Sequence, residues 1–230
     1  MMDLYLTLLS SLPEVRCPVS HKDDDFEAQP ALSEPQMMMR LSMLDETRRA
    51  ELALLLSLCP LVKYEPNPWN VPEWKQQFEK LKEPEARRLA RWFVELASVL
   101  AAIRTREFEP DQSDALPLYP GRWGWVIKTH WHDQYFALDT RFPAIKKWTE
   151  WAHDHQWKQI EKDALLLAWS HMDQIALEKP ISFTALAVYW LKWHWVQQWN
   201  ERANATGRFA NSLNATLDQL LKQSGEERVI

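Results

Sequence analysis

Two short clusters, His130-Trp131-His132-Asp133 and His153-Asp154-His155, bring histidines and carboxylates together within 26 residues. Such groups could hold a divalent metal or relay a proton. Their spacing argues against a single helical site. Side chains at i and i+2 of a helix point about 200° apart, so His130 and His132 do not share a helical face. The i, i+4 histidine pair of the H-E-x-x-H pattern is absent. Extended or loop backbone would permit i, i+2 ligation. The expectation is therefore surface or capping histidines, with no bound metal or other cofactor. A metal-dependent enzyme built on His130, His132, His153 and His155 stands as an alternative.

Nucleophiles are few. Cys17 lies in a proline-flanked loop and Cys59 on an apolar helix face, and they are the only cysteines. Two cysteines make neither a disulfide framework nor a zinc ribbon. A Cys–His pair would be chemically competent, but Cys59 reads as a buried, inert thiol. There is no G-x-S-x-G elbow, and the carboxylate pairs read as solvated faces. No catalytic residue is assigned.

Tryptophan is the unusual resource. Fourteen are present, three before residue 120 and eleven between Trp123 and Trp199. The densest segment carries Phe183, Leu186, Val188, Tyr189, Trp190, Leu191, Trp193, Trp195, Val196 and Trp199. On a helix, Trp195 and Trp199 share a face with Val188 and Leu191, while Trp190 and Trp193 share one with Leu186 and Phe183. Lys192, His194 and Gln197-Gln198 are the polar relief. A helix apolar nearly all round is central in a bundle, or buried on two sides, one of them a partner. The first reading makes these tryptophans core. The second makes Trp190, Trp195 and Trp199 partner anchors, since Trp dominates interface hot spots. Asp23, Asp24 and Asp25 form an acidic run suited to a basic partner surface.

The elements that carry these residues read as helices. Residues 3–12 form a short apolar element, helical in preference to a strand, and 14–32 a loop. Ser33, Pro35 and Gln36 open a helix as cap, first-turn proline and capping-box partner. Asp45 caps the next, with Leu52, Leu55, Leu56 and Cys59 on one face, halted by Pro60, Pro66 and Pro68. Val71 opens a short helix through Lys82. Pro84 opens a long one to about residue 107, with Leu89, Trp92, Phe93, Leu96, Val99, Leu100 and Ile103 as its stripe. Residues 108–120, with three prolines and three acids, form a candidate linker between lobes 1–107 and 121–230. Beyond it come a helical or turn-rich segment over 122–132 and a helix opened by Phe142-Pro143 with a break near His155–Gln156. Helices over 157–178 and 183–203 follow, the latter capped by Ser182. A last helix carries Phe209, Leu213, Leu217, Leu220 and Leu221, bounded by Gly207 and Gly225. The fold class is all-α: a compact multi-helix bundle in one domain.

Composition excludes several classes. Four glycines, Gly121, Gly124, Gly207 and Gly225, cannot build a dinucleotide fingerprint or a P-loop. The formal charge is −5, which argues against a broad nucleic-acid footprint. Residues 1–120 carry 14 Lys and Arg against 20 Asp and Glu; residues 121–230 carry 13 against 12. The acidity is thus N-terminal. No window of about 18 apolar residues is present to cross a membrane, and the N-terminus lacks the basic start of a signal peptide. A reduced, cytoplasmic protein is expected.

Three stretches resemble an uncharacterised bacterial family, a domain of unknown function (2764), encoded among V/A-type rotary ATPase genes. They are Tyr5-Leu6 through Ser11-Leu12-Pro13; Gly121-Arg122-Trp123 through Trp131, with Phe136-x-Leu138 and Phe142-Pro143; and Ser182-Phe183 with Tyr189-x-Leu191-Lys192-Trp193 and Trp199. The matching residues are structural in type, with Trp123, Trp131, Phe142, Pro143, Tyr189 and Trp193 as the motif. The resemblance implies a cytoplasmic component peripheral to the membrane, with ATPase subunits as partners. It also implies a non-catalytic interaction role like that of the small helical subunit joining the central stalk to the rotor ring, or an assembly factor. The rival from another class of interaction protein is a cytoplasmic chaperone for a secreted redox enzyme.

Overall fold

The computed structural model describes residues 2–19, 32–59, 71–110 and 121–201. Asp23, Asp24 and Asp25, the prolines at 60, 66 and 68, most of the expected linker, and the expected last helix lie outside the described residues. All regular structure in the described residues is helical. The elements are α1 (Met2–Ser10), α2 (Glu34–Leu41), α3 (Glu46–Leu58), α4 (Val71–Glu79), α5 (Pro84–Phe108), α6 (Arg122–Thr129), α7 (Ala144–His153), α8 (Trp157–Glu178) and α9, residues 183–201.

Local chemistry sets the ends. The Ser33 N–H donates to Gln36 Oε1 at 3.0 Å at the start of α2. Asp45 Oδ1 accepts from the Arg48 N–H at 2.8 Å, satisfying one orphan donor of α3. Ser182 Oγ accepts from the Ala185 N–H at 3.2 Å at the start of α9. The break between α7 and α8 falls where expected, with His155 in the left-handed region at φ 56°. The short segment over 122–132 splits: α6 stops at Thr129, and turns carry residues 130–143.

The organising element is α5. It packs against α3, α6, α7 and α8, so more than one stripe is buried. Ala86, Ala90, Val94 and Ala102 are enclosed along with Leu89, Phe93, Leu96, Val99 and Ile103. Trp92 and Leu100 sit at the edge, half-buried. Side chains on α5 reach elements beyond residue 120. Arg88 pairs with Glu178, Glu85 with Lys179, and Arg106 donates to the carbonyls of Asp133 and Gln134 at 2.8 Å each. Arg106 also lies 4.0 Å from the Phe136 ring centroid. One guanidinium therefore pins the turns that follow α6.

Helix α9 closes the core. Phe93 of α5 meets Trp195 edge-on at 5.2 Å, Tyr5 of α1 meets Phe183 at 6.5 Å, and Trp193 Nε1 donates to the Leu32 carbonyl at 2.9 Å. The N-terminal elements are thereby fastened to the last described helix, and the buried apolar residues form one continuous cluster. Among the described residues, no helix is long and apolar enough to cross a membrane.

Candidate interaction surface

The two histidine clusters do not merge into one site. His130 Nδ1 lies 2.7 Å from Asp133 Oδ2, closing the turn after α6. His153 Nδ1 lies 3.9 Å from Glu107 Oε1. His132 and His155 are exposed. Among the described residues, no three His, Cys, Asp or Glu side chains gather as a metal would require. Cys59 is buried, and burial pushes its thiol well above the usual range. Burial also raises the Cys17 thiol. Neither is poised as a thiolate.

The tryptophans of α9 are sorted by packing. Trp195 is 1% exposed against Phe93. Trp190 is buried, stacked on Trp193 at 5.4 Å with the His194 ring 4.2 Å away. Trp199 is half-buried against the core. Both rings expected as partner anchors are buried within the chain: Trp195 meets Phe93 of α5, and Trp190 lies on its α9 neighbour Trp193. Of the motif residues, Trp123, Trp131 and Trp193 are buried. Trp131 Nε1 donates to the Pro110 carbonyl at 3.1 Å. Phe142 meets the buried Trp148 edge-on at 5.2 Å, and Pro143 precedes α7 with φ −58°. The Tyr189 hydroxyl is enclosed without a hydrogen-bond partner, and burial pushes its pKa up to about 12.

Of the polar residues on α9, Lys192 is likewise inside, while His194, Gln197 and Gln198 are half-buried. Lys192 is buried, its ammonium paired with Asp173 and 4.6 Å from the Trp169 ring centroid. Burial is the main influence on Lys192 and lowers its pKa, opposed by the Asp173 carboxylate. A long stem lets Lys cross apolar surface and set its charge against a carboxylate at the margin.

Exposed apolar residues lie elsewhere. On α2 and the turn after it, Met38, Met39 and Met43 are 51, 69 and 49% exposed, while Met37, Leu41 and Leu44 face inward. On α6, Trp125 is 69% exposed, the most exposed tryptophan among the described residues. Sequence reasoning missed it, although the signal is present. Trp123 and Ile127, at i and i+4 of α6, are buried, which turns Trp125 to the opposite side.

Arg122, one turn before Trp125, is held in place. Its Nε donates to Glu95 Oε2 at 3.1 Å and its guanidinium lies 4.3 Å from the Trp123 ring centroid, yet its side chain is 65% exposed. Glu95 itself is enclosed, with Oε1 unpartnered. Burial raises its pKa, and Arg122 opposes that shift. Gly121 completes the corner. Its φ of +98° suits glycine, and a Cβ there would sit 3.1 Å from Glu95 Cγ.

No protein-family model, curated protein or solved structure matches this chain.

Proposed function

We propose that this chain is a non-catalytic helical interaction subunit or assembly factor of a V/A-type rotary ATPase. It acts in the cytoplasm at the central stalk and rotor junction, reaching the membrane periphery through protein contacts. The observation that carries an interaction role is the methionine face. Met38, Met39 and Met43 present three thioethers to solvent within six residues of chain. Unbranched, polarizable side chains of this kind repack against a partner at low cost and recur at binding surfaces. The choice of partner comes from the family resemblance. In its support, Trp123, Trp131, Phe136, Leu138, Phe183, Leu191 and Trp193 of the matching stretches are all buried. They are residues a shared helical framework would need.

The test is purification from native membranes at low salt, followed by mass spectrometry of the bound subunits. ATPase subunits should co-purify, and a Met38→Ser/Met39→Ser/Met43→Ser variant should lose them while keeping its melting temperature. A wholly cytosolic protein that brings down a redox enzyme precursor instead would transfer the reading to the chaperone class.

A further inference from the structure

The outward side of α6 combines three features. Trp125 is largely in solvent. Arg122 and Thr129 lie one turn to either side of it, on the same face, with Thr129 Oγ1 fixed on the Trp125 carbonyl at 2.9 Å. Lys128 flanks that face and is exposed. The helix contains no acidic residue. The one carboxylate paired with Arg122, Glu95, is buried behind the helix.

Arg122 is the informative member. A surface arginine ordinarily samples many rotamers, and ordering it opposes binding. Here its Nε is already committed to Glu95 and its plane rests near the Trp123 ring. A guanidinium so oriented retains terminal N–H groups suited to a planar carboxylate. An indole beside such a fork, with a second cation at its flank, is complementary to a segment that is apolar at one position and acidic around it.

We infer that the outer face of α6 is a docking site for an acidic segment of a partner protein, with Trp125 as the apolar anchor and Arg122 as the carboxylate fork. This deepens the interaction-subunit reading and holds whether or not that partner belongs to a rotary ATPase. Lys128 adds long-range attraction, so association weakens as salt rises through the physiological range.

The experiment uses the full chain and a displayed library of random 12-residue peptides, with no ATPase component. Enriched peptides should carry at least two Asp or Glu around a Leu, Ile, Phe or Trp. In fluorescence anisotropy, an enriched peptide should bind at least tenfold tighter than its Asn/Gln counterpart. Trp125→Ala should weaken binding tenfold or more, and Lys128→Glu several-fold, both with unchanged melting temperature. Enrichment of neutral or basic peptides, affinity indifferent to Trp125→Ala, or no enrichment overturns the inference. Trp125-dependent flotation with phosphatidylglycerol vesicles, without peptide binding, would reassign the face to a lipid surface. Failure here leaves co-purification with ATPase subunits unaffected, and failure there leaves peptide binding unaffected.

Discussion

Glu51, enclosed within α3, accepts the backbone N–H of Glu83, the residue preceding α5, at 2.9 Å. The same oxygen accepts from the Lys82 N–H at 2.7 Å, and the other oxygen meets Arg48 at 3.1 Å. A carboxylate from one helix thus satisfies the amides leading into another, where donors lack intrahelical partners. Glu51→Ala should cost about 2–4 kcal/mol, because it strands buried donors and a guanidinium. Glu51→Gln keeps one acceptor oxygen and should cost less than half as much. Urea denaturation of the two variants measures the difference. Equal losses would show that the charge, and not the amide acceptor, is what matters.

The corner formed by Gly121 and Glu95 yields a pH prediction with a definite sign. Burial raises the Glu95 pKa in the folded chain above its ordinary value of 4.5. The folded state therefore binds this proton more tightly than the unfolded state. The associated stability is complete below the ordinary carboxylate pKa and is lost as pH rises through the raised value. Glu95→Gln cannot titrate, so its stability relative to the parent should improve across that interval. Parallel profiles for the two proteins between pH 4 and pH 7 would contradict the assignment.

His171 points the other way. It stacks on Trp92 at 4.0 Å with its Nε2 enclosed and unpartnered. Burial first, then the Arg88 charge, lowers its pKa to about 4. The unfolded state then binds more protons between about pH 4 and the ordinary 6.5. The stability it contributes is complete above 6.5 and declines as pH falls towards 4. Imidazole NMR signals from His171 should stay in the neutral form at pH 5.5. A His171 midpoint near 6.5 would show that the ring is not sequestered.

Two tryptophans separate core from surface. Trp193 bonds the Leu32 carbonyl and stacks on Trp190, so Trp193→Ala should cost about 3–5 kcal/mol. That is a fall in melting temperature of roughly 10 °C for a chain of this size. Trp125→Ala should change stability by no more than about 0.5 kcal/mol. Thermal melts of both variants provide the check, and a comparable loss at Trp125 would mean that its ring is packed after all.

Gly121→Ala should lose about 1–3 kcal/mol, from forced backbone at φ +98° and from contact with Glu95 Cγ. Combining it with Glu95→Ala relieves only the second component. A double variant as stable as Glu95→Ala alone would show that the backbone conformation costs nothing.

Much of the helical framework was legible because it rests on local chemistry. Asp45, Ser182, Pro84 and the halt after Glu178 act within a few residues of themselves, and the three- and four-residue spacing of Leu89, Phe93, Leu96 and Ile103 is a property of one helix. The α9 pattern likewise announced a helix apolar on nearly every side. Periodicity could not say what covered those sides. Whether Trp195 met a partner or Phe93 was decided by a contact across a hundred residues of chain. The buried charges were equally out of reach: Glu51, Glu95 and Lys192 look like ordinary solvated residues until Lys82, Arg122 and Asp173 arrive from elsewhere. Residue types and spacing determined that this chain forms helices, and which faces of them are apolar. Tertiary packing alone decided which apolar residues remain outside, leaving Trp125 and the α2 methionines in solvent, because burial is a relation between distant elements and not a property of any one of them.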